Sequence, residues 1–257
     1  MQSDPEMALF YKFANAPINY FPFPHLFIQD IFPQDYYDRL QAAIPDPSIM
    51  LPIEEARPVK GYKERFVLEI SNPKYQDMLP PDKRDFWKQL AGWLCSGRFA
   101  GLALHKFQPL IQQRFQNGPP PEFYNEAILV EDITKYSLGP HTDAPRKVIT
   151  MLFYLPRDLS QSHLGTSIYL PKDPSFRCPG GPHHKFEGFE RLHTMPFTPN
   201  SLFVFVKSDN SFHGVEPVTD PDTRRWLLLY DIYAQPQQQQ APTFNLATGG
   251  PPPSFKF

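Results

Sequence analysis

Cysteine is nearly absent: only Cys95 and Cys178 occur, which excludes a disulfide framework as the source of stability. No apolar run approaches the roughly 18–20 residues needed to cross a bilayer. The N-terminal Met1-Gln2-Ser3-Asp4-Pro5-Glu6 lacks the basic and apolar regions of a signal peptide. An excess of one charge is also missing, since 25 Lys+Arg against 27 Asp+Glu leave a net of −2. That excludes an electrostatic footprint for non-specific nucleic-acid binding, though not a local basic patch. A soluble, reduced, cytoplasmic protein is expected, with neither membrane nor nucleic acid as partner.

What the chain does have is proline and phenylalanine, 32 and 23 of its 257 residues. Average usage would give about 13 prolines. So much proline is hard to fit into long helices or central strands. With so many aromatics, the composition favours short strands joined by rigid loops over a helical bundle. The length suits one large domain or two small ones and is ample for a buried core.

The run His25–Ile31 reads as a short strand, after which Pro33 opens a helix carrying Tyr37, Leu40 and Ile44 on one face, and Pro45 stops it. Phe86, Leu90, Trp93 and Leu94 predict a second helix, and Arg65–Ile70 a strand between the two. From Glu126 onward the pattern is all strand: Ala127–Ile133, Val148–Leu155, Thr166–Leu170, Ser201–Lys207, Phe212–Val218 and Trp226–Tyr233. Six such segments in about a hundred residues suggest a sandwich or jelly roll. The stretch from Gln235, with Gln237–Gln240 and Pro251–Pro253, is of low complexity.

The informative motif is His141-Thr142-Asp143. In extended backbone, residues i and i+2 share a face, so an imidazole and a carboxylate stand side by side. His213 follows 72 residues later in another strand-like segment. Two histidines and one carboxylate form a facial triad that leaves open positions, the arrangement used by iron(II) in oxygenases. A surface histidine beside a turn aspartate is the plain alternative. Arg224 comes eleven residues beyond His213, ahead of Arg225 and the apolar run Trp226–Tyr230. A guanidinium at the head of a buried strand is costly unless it meets an anion. An iron site with an arginine nearby describes a pocket for a dicarboxylic oxo-acid; the competing reading leaves both arginines in solvent, and for Arg225 solvent is the expectation.

In order, Pro24–Phe32, His141–Pro145, Val148–Leu155, Leu164–Tyr169, Pro199–Phe205 and His213–Val218 resemble the iron(II)/2-oxoglutarate-dependent dioxygenases, prolyl-4-hydroxylase-like branch. The resemblance implies a mainly β fold with flanking helices, an α+β domain built on a double-stranded β-helix, or jelly-roll, core. It implies an N-terminal extension over 1–23 and one oxygenase domain over 24–234. Residues 24–125 would form its support and 126–234 its core, followed by a Pro/Gln-rich tail over 235–257. Fe(II) would be held by His141, Asp143 and His213. The 2-oxoglutarate co-substrate would be bound through Arg224 and the Tyr154 hydroxyl, and O2 consumed. Tyr154 is equally readable as a core aromatic, and Tyr136 as pocket lining or packing.

The implied activity is hydroxylation of an unactivated C–H bond in a peptide residue, proline among the candidates, or in a small metabolite, with release of succinate and CO2. With Asp143 in place, halide has no vacant carboxylate position to enter. Leu164 departs from the branch, which has glycine there. Competing readings are a metal- or sugar-binding jelly roll without oxygenase activity, nucleic-acid demethylation, and an interaction module working through the tail. Residues 171–198, with Cys178, His183, His184 and His193, have no zinc-type spacing. They read as a Pro/Gly-rich loop over the mouth of the site, anchored by Phe176, Phe186, Phe189 and Leu192.

Overall fold

A computed structural model describes residues 4–57, 60–119 and 121–235. Its strands are β1 (His25–Ile28), β2 (Leu51–Pro52), β3 (Arg65–Glu69), β4 (Phe123–Ile133), β5 (Leu138–His141), β6 (Lys147–Tyr154), β7 (Ser167–Pro171), β8 (Phe189–Thr194), β9 (Ser201–Val206), β10 (His213–Val215) and β11 (Arg224–Ala234). The helices are α1 (Pro5–Asn15), α2 (Gln34–Ala43), α3 (Ile53–Ala56), α4 (Pro73–Gln76), α5 (Pro81–Leu94), α6 (Arg98–Lys106) and α7 (Gln108–Arg114). None of these helices is long and apolar enough to cross a membrane.

Two open antiparallel sheets result, ordered β1-β9-β6-β11-β4-β3-β2 and β5-β10-β7-β8. From β4 onward the chain visits the first sheet, the second, the first, the second twice, the first, the second and the first. That alternation of eight strands is a jelly roll, and the fold class expected from sequence is the one observed. Strands β1, β2 and β3 widen the first sheet on its two sides. The helices pack on its outer face, where Leu129, Met151, Phe153, Val204, Leu228, Tyr230 and Ile232 share a core with Trp87, Leu90 and Phe99. The inner face turns Val130, Leu152, Phe203, Phe205 and Leu227 toward Ile168 of the second sheet.

Two core strands went unread in the sequence. Gly139 and Pro140 break any apolar alternation in β5, and the glycine is needed there: a Cβ would come within 2.3 Å of the His184 carbonyl. Strand β8 lies at the edge of its sheet and is mostly solvent-exposed, so it carries no hydrophobic signal. The expected irregular segment 171–198 therefore contains a sheet strand. Helix α1 was unread as well. Asp4 caps it by accepting from the Glu6 and Met7 amides, and it buries Leu9 and Phe13 completely in the main core. The low-complexity tail lies outside the described residues from 236 on.

Candidate metal centre and its cavity

His141 ends β5, His213 begins β10, and the two are register partners across the second sheet. Asp143 follows in the turn toward β6. One donor atom from each of the three lies within 4.8 Å of the others, and all three side chains are buried. Each histidine has one nitrogen committed: Nδ1 of His141 donates to the Gly139 carbonyl at 3.0 Å, and Nδ1 of His213 to the Ser211 carbonyl at 3.0 Å. A carbonyl can only accept, so these bonds fix the tautomer that leaves each Nε2 lone pair for a metal.

Asp143 is held in the same manner. The Thr150 hydroxyl donates to its Oδ2 at 2.7 Å, and the Lys147 ammonium lies 3.4 Å from its Oδ1. Lys147 is itself anchored 2.9 Å from Asp231. Burial opposes the Asp143 charge, but the Lys147 ammonium, aided by the Thr150 hydroxyl, outweighs it and holds the carboxyl well below its usual range. Burial, reinforced by the neighbouring His213, pushes the His141 imidazole well down, and burial also lowers His213. Two neutral imidazoles and one carboxylate are a donor set suited to a divalent transition metal.

The triad opens into a cavity of about 320 Å³ floored by alternate residues of β11: Arg225, Leu227, Leu229, Asp231 and Tyr233. The intervening residues face the helices. That parity corrects the expectation for Arg224. Its side chain is 54% exposed and pairs on the outer side with Glu131, whereas Arg225, expected in solvent, is 1% exposed and lines the cavity. A one-residue offset in a strand transfers a side chain to the opposite face.

Arg225 donates through Nε to the Leu164 carbonyl at 2.6 Å and through Nη1 to Asp132 at 2.7 Å. Its guanidinium lies 4.5 Å from the Phe197 ring centre. Arg65 takes both oxygens of the same carboxylate, at 2.6 and 3.0 Å. One carboxylate thus serves two guanidinium groups, and Arg225 Nη2 makes no hydrogen bond among the described residues. Tyr154 is fully buried behind the wall of the cavity, and its hydroxyl accepts from the Thr166 amide at 3.1 Å. Tyr136, unlike Tyr154, lines the cavity, beneath Arg65 at 4.4 Å, with a buried hydroxyl that has no partner among the described residues.

Segment 171–198 is seated against the triad. The Thr142 hydroxyl donates to the Cys178 carbonyl at 2.8 Å, and the His184 amide to the Pro140 carbonyl at 2.9 Å. His183 packs its ring, tilted by 57°, against His141 with centres 4.3 Å apart, lines the cavity and is hydrogen-bonded to Tyr62. Phe176, Phe186 and Phe189 anchor the segment around Tyr169 and Phe212, while Leu192 is exposed. Sequence reasoning passed over His183 as a site residue, since no spacing signal distinguishes it, whereas Tyr136, read there as pocket lining or packing, lines the cavity.

No protein-family model matches the chain, and no curated protein matches it. Among solved structures, it is similar to the non-heme alpha-ketoglutarate-dependent carbocyclase SnoK from nogalamycin biosynthesis: 11% identity, 91% of this chain, 87% of that one, TM-score 0.50. It is also similar to a dioxygenase for auxin oxidation from Arabidopsis thaliana, at 13% identity over 83% of this chain and 84% of that one, TM-score 0.49. A Pseudomonas putida prolyl-4-hydroxylase aligns at 14% identity over 90% and 99% of the two chains, TM-score 0.47. At these identities what is shared with SnoK is the fold.

Proposed function

We propose that this chain is an iron(II)- and 2-oxoglutarate-dependent dioxygenase of the prolyl-4-hydroxylase-like branch. It hydroxylates an unactivated C–H bond of a small-molecule or peptide substrate and releases succinate and CO2. The observation that carries this reading is the buried His141–Asp143–His213 cluster on jelly-roll strands, with both Nδ1 atoms tied to backbone carbonyls. His141, Asp143 and His213 hold the iron. Bound iron and 2-oxoglutarate, with O2, supply the oxidising chemistry.

The protein's part is positioning. Asp143 stays ionised beside Lys147 and is oriented by Thr150. At the far end of the cavity, Arg225 Nη2 and the unpartnered Tyr136 hydroxyl are donors for the distal carboxylate of the co-substrate. Leu227 and Leu229 line the stretch between the two ends and exclude water from it. Segment 171–198, through His183, covers the mouth on the substrate side. The two free cysteines fit a reducing compartment, and a cytoplasmic location is part of the proposal.

Calorimetry under anaerobic conditions tests the reading. Iron(II) should bind first and 2-oxoglutarate should bind only to the metal-loaded protein. Mass spectrometry across peptide and metabolite libraries should then find a singly oxygenated product together with succinate. A protein that binds metal but releases no succinate with any substrate would be a metal-binding jelly roll instead.

A further inference from the structure

At the opposite end of the cavity from Arg225, one buried carboxylate is short of a donor. Asp231 pairs there with Lys147 at 2.9 Å. Lys147 is moreover shared with Asp143. Asp231 is 1% exposed and lines the cavity. Its Oδ2 accepts from Lys147 and lies 3.1 Å from the Tyr233 hydroxyl, whose single proton is shared with the nearer Glu126 Oε1 at 2.7 Å, whereas its Oδ1 is buried without a partner. A buried carboxylate oxygen without a donor is a costly feature to keep unless something arrives to satisfy it.

Arg146 shows the converse imbalance. It lines the same end of the cavity at the exposed mouth, and its guanidinium lies over the Tyr233 ring at 5.0 Å. Its side chain makes no ion pair or hydrogen bond among the described residues. The Tyr233 ring connects the two features, carrying Arg146 on its face and Asp231 at its hydroxyl. An acceptor short of a donor and a cation short of an anion are thereby set on either side of one aromatic ring, beside the metal triad.

We propose that this end of the cavity binds the amphoteric head of a free α-amino acid, its ammonium on Asp231 Oδ1 and its carboxylate on Arg146. The inference rests on the oxygenase reading above and names the substrate class for it. The head group would lie beyond Lys147, leaving the side chain of the amino acid to reach toward the triad. A peptide residue has neither free group and would leave both imbalances in place.

The test is calorimetric titration of the full chain, loaded with nickel(II) and 2-oxoglutarate, with the twenty common L-amino acids. Each ligand that binds is then compared with its N-acetyl and carboxamide forms. One or a few free amino acids should bind, and either cap should weaken binding at least about tenfold. Arg146→Gln should weaken the free amino acid by a similar factor without weakening the carboxamide further. Asp231→Asn should do the same relative to the N-acetyl form, and Arg224→Ala, on the outer face, should change nothing. Arg146 is exposed, so its variant tests the proposal even if Asp231→Asn fails to fold. Capped forms that bind as well as free ones would overturn the inference, as would no binding by a protein that takes up nickel and 2-oxoglutarate. If those two do not bind, the oxygenase reading fails. Titration of the unloaded protein then decides the subsite separately, and absence of binding there rejects it.

Discussion

Arg225 and Asp132 are register partners on adjacent antiparallel strands, and their side chains meet at 2.7 Å with almost no exposure to solvent. Arg65 grips the same carboxylate from the next strand. The arrangement sets a cationic end wall to the cavity, with one carboxylate shared by two guanidinium groups.

Arg225→Ala should therefore have two effects. The apparent affinity for 2-oxoglutarate should fall by at least about 30-fold, the cost of losing a shielded charge-assisted pair. Stability should fall by about 2–4 kcal/mol because Asp132 keeps only one of its two buried partners. Titration calorimetry and urea unfolding measure the two separately. Unaltered 2-oxoglutarate binding would remove Arg225 from the co-substrate site.

Arg224→Ala should leave 2-oxoglutarate binding alone and act on stability through Glu131. Burial raises the Glu131 carboxyl, and Arg224 opposes that shift. In the variant the shift should grow, so the folded state holds a proton over a wider range above the unfolded pKa. Stability lost by the variant, about 1 kcal/mol, should then be present at pH 7 and shrink as pH falls and Glu131 protonates. Unfolding curves at pH 7 and pH 4.5 give the comparison, and a loss that grows on acidification contradicts it.

Thr150 touches the triad only through Asp143. Thr150→Val removes the hydroxyl while keeping the shape, and should weaken iron(II) or nickel(II) binding about 10- to 100-fold, with Thr150→Ser restoring most of it. His141→Ala, Asp143→Ala and His213→Ala should each abolish metal uptake. Full metal occupancy in any one of these three would exclude that residue as a ligand.

Two neighbouring glycines separate backbone strain from contact. Gly180 and Gly181 have φ of +121° and +120°, so an L side chain is strained at both. A Cβ on Gly180 would also come within 2.2 Å of the Asp143 carbonyl oxygen, whereas one on Gly181 meets nothing. Gly181→Ala should cost about 1 kcal/mol. Gly180→Ala should cost more and should also lower metal affinity, since the segment can no longer sit against Asp143. Equal effects on metal binding would mean that the close approach is unimportant to the triad.

Both thiols should resist alkylation. Burial pushes the Cys95 thiol up to about 12, which leaves almost no thiolate at pH 8, and Cys178 is buried at 5% exposure. Intact-mass measurement after iodoacetamide should show slow labelling of the native protein and two adducts in urea.

The class of fold and the side-by-side setting of His141 and Asp143 were legible in the sequence alone, while His213, 72 residues on, joined them only through the resemblance of its motif. Short β-rich segments after Glu126 can bury their faces only by pairing, and His141-Thr142-Asp143 sets two donors on one side of an extended chain whatever surrounds it. Both signals are local, carried by neighbouring residues. Tertiary structure alone decided which arginine faces inward, because the parity of β11 is set by the eleven-residue register it shares with β4. The adjacent Arg224 and Arg225 offer no local reason to prefer one. It likewise decided that Tyr136 rather than Tyr154 lines the cavity, and that His183 reaches His141 across 42 residues of chain. Those placements depend on how two sheets and a returning segment close around one space, which is a long-range packing outcome that no residue spacing encodes.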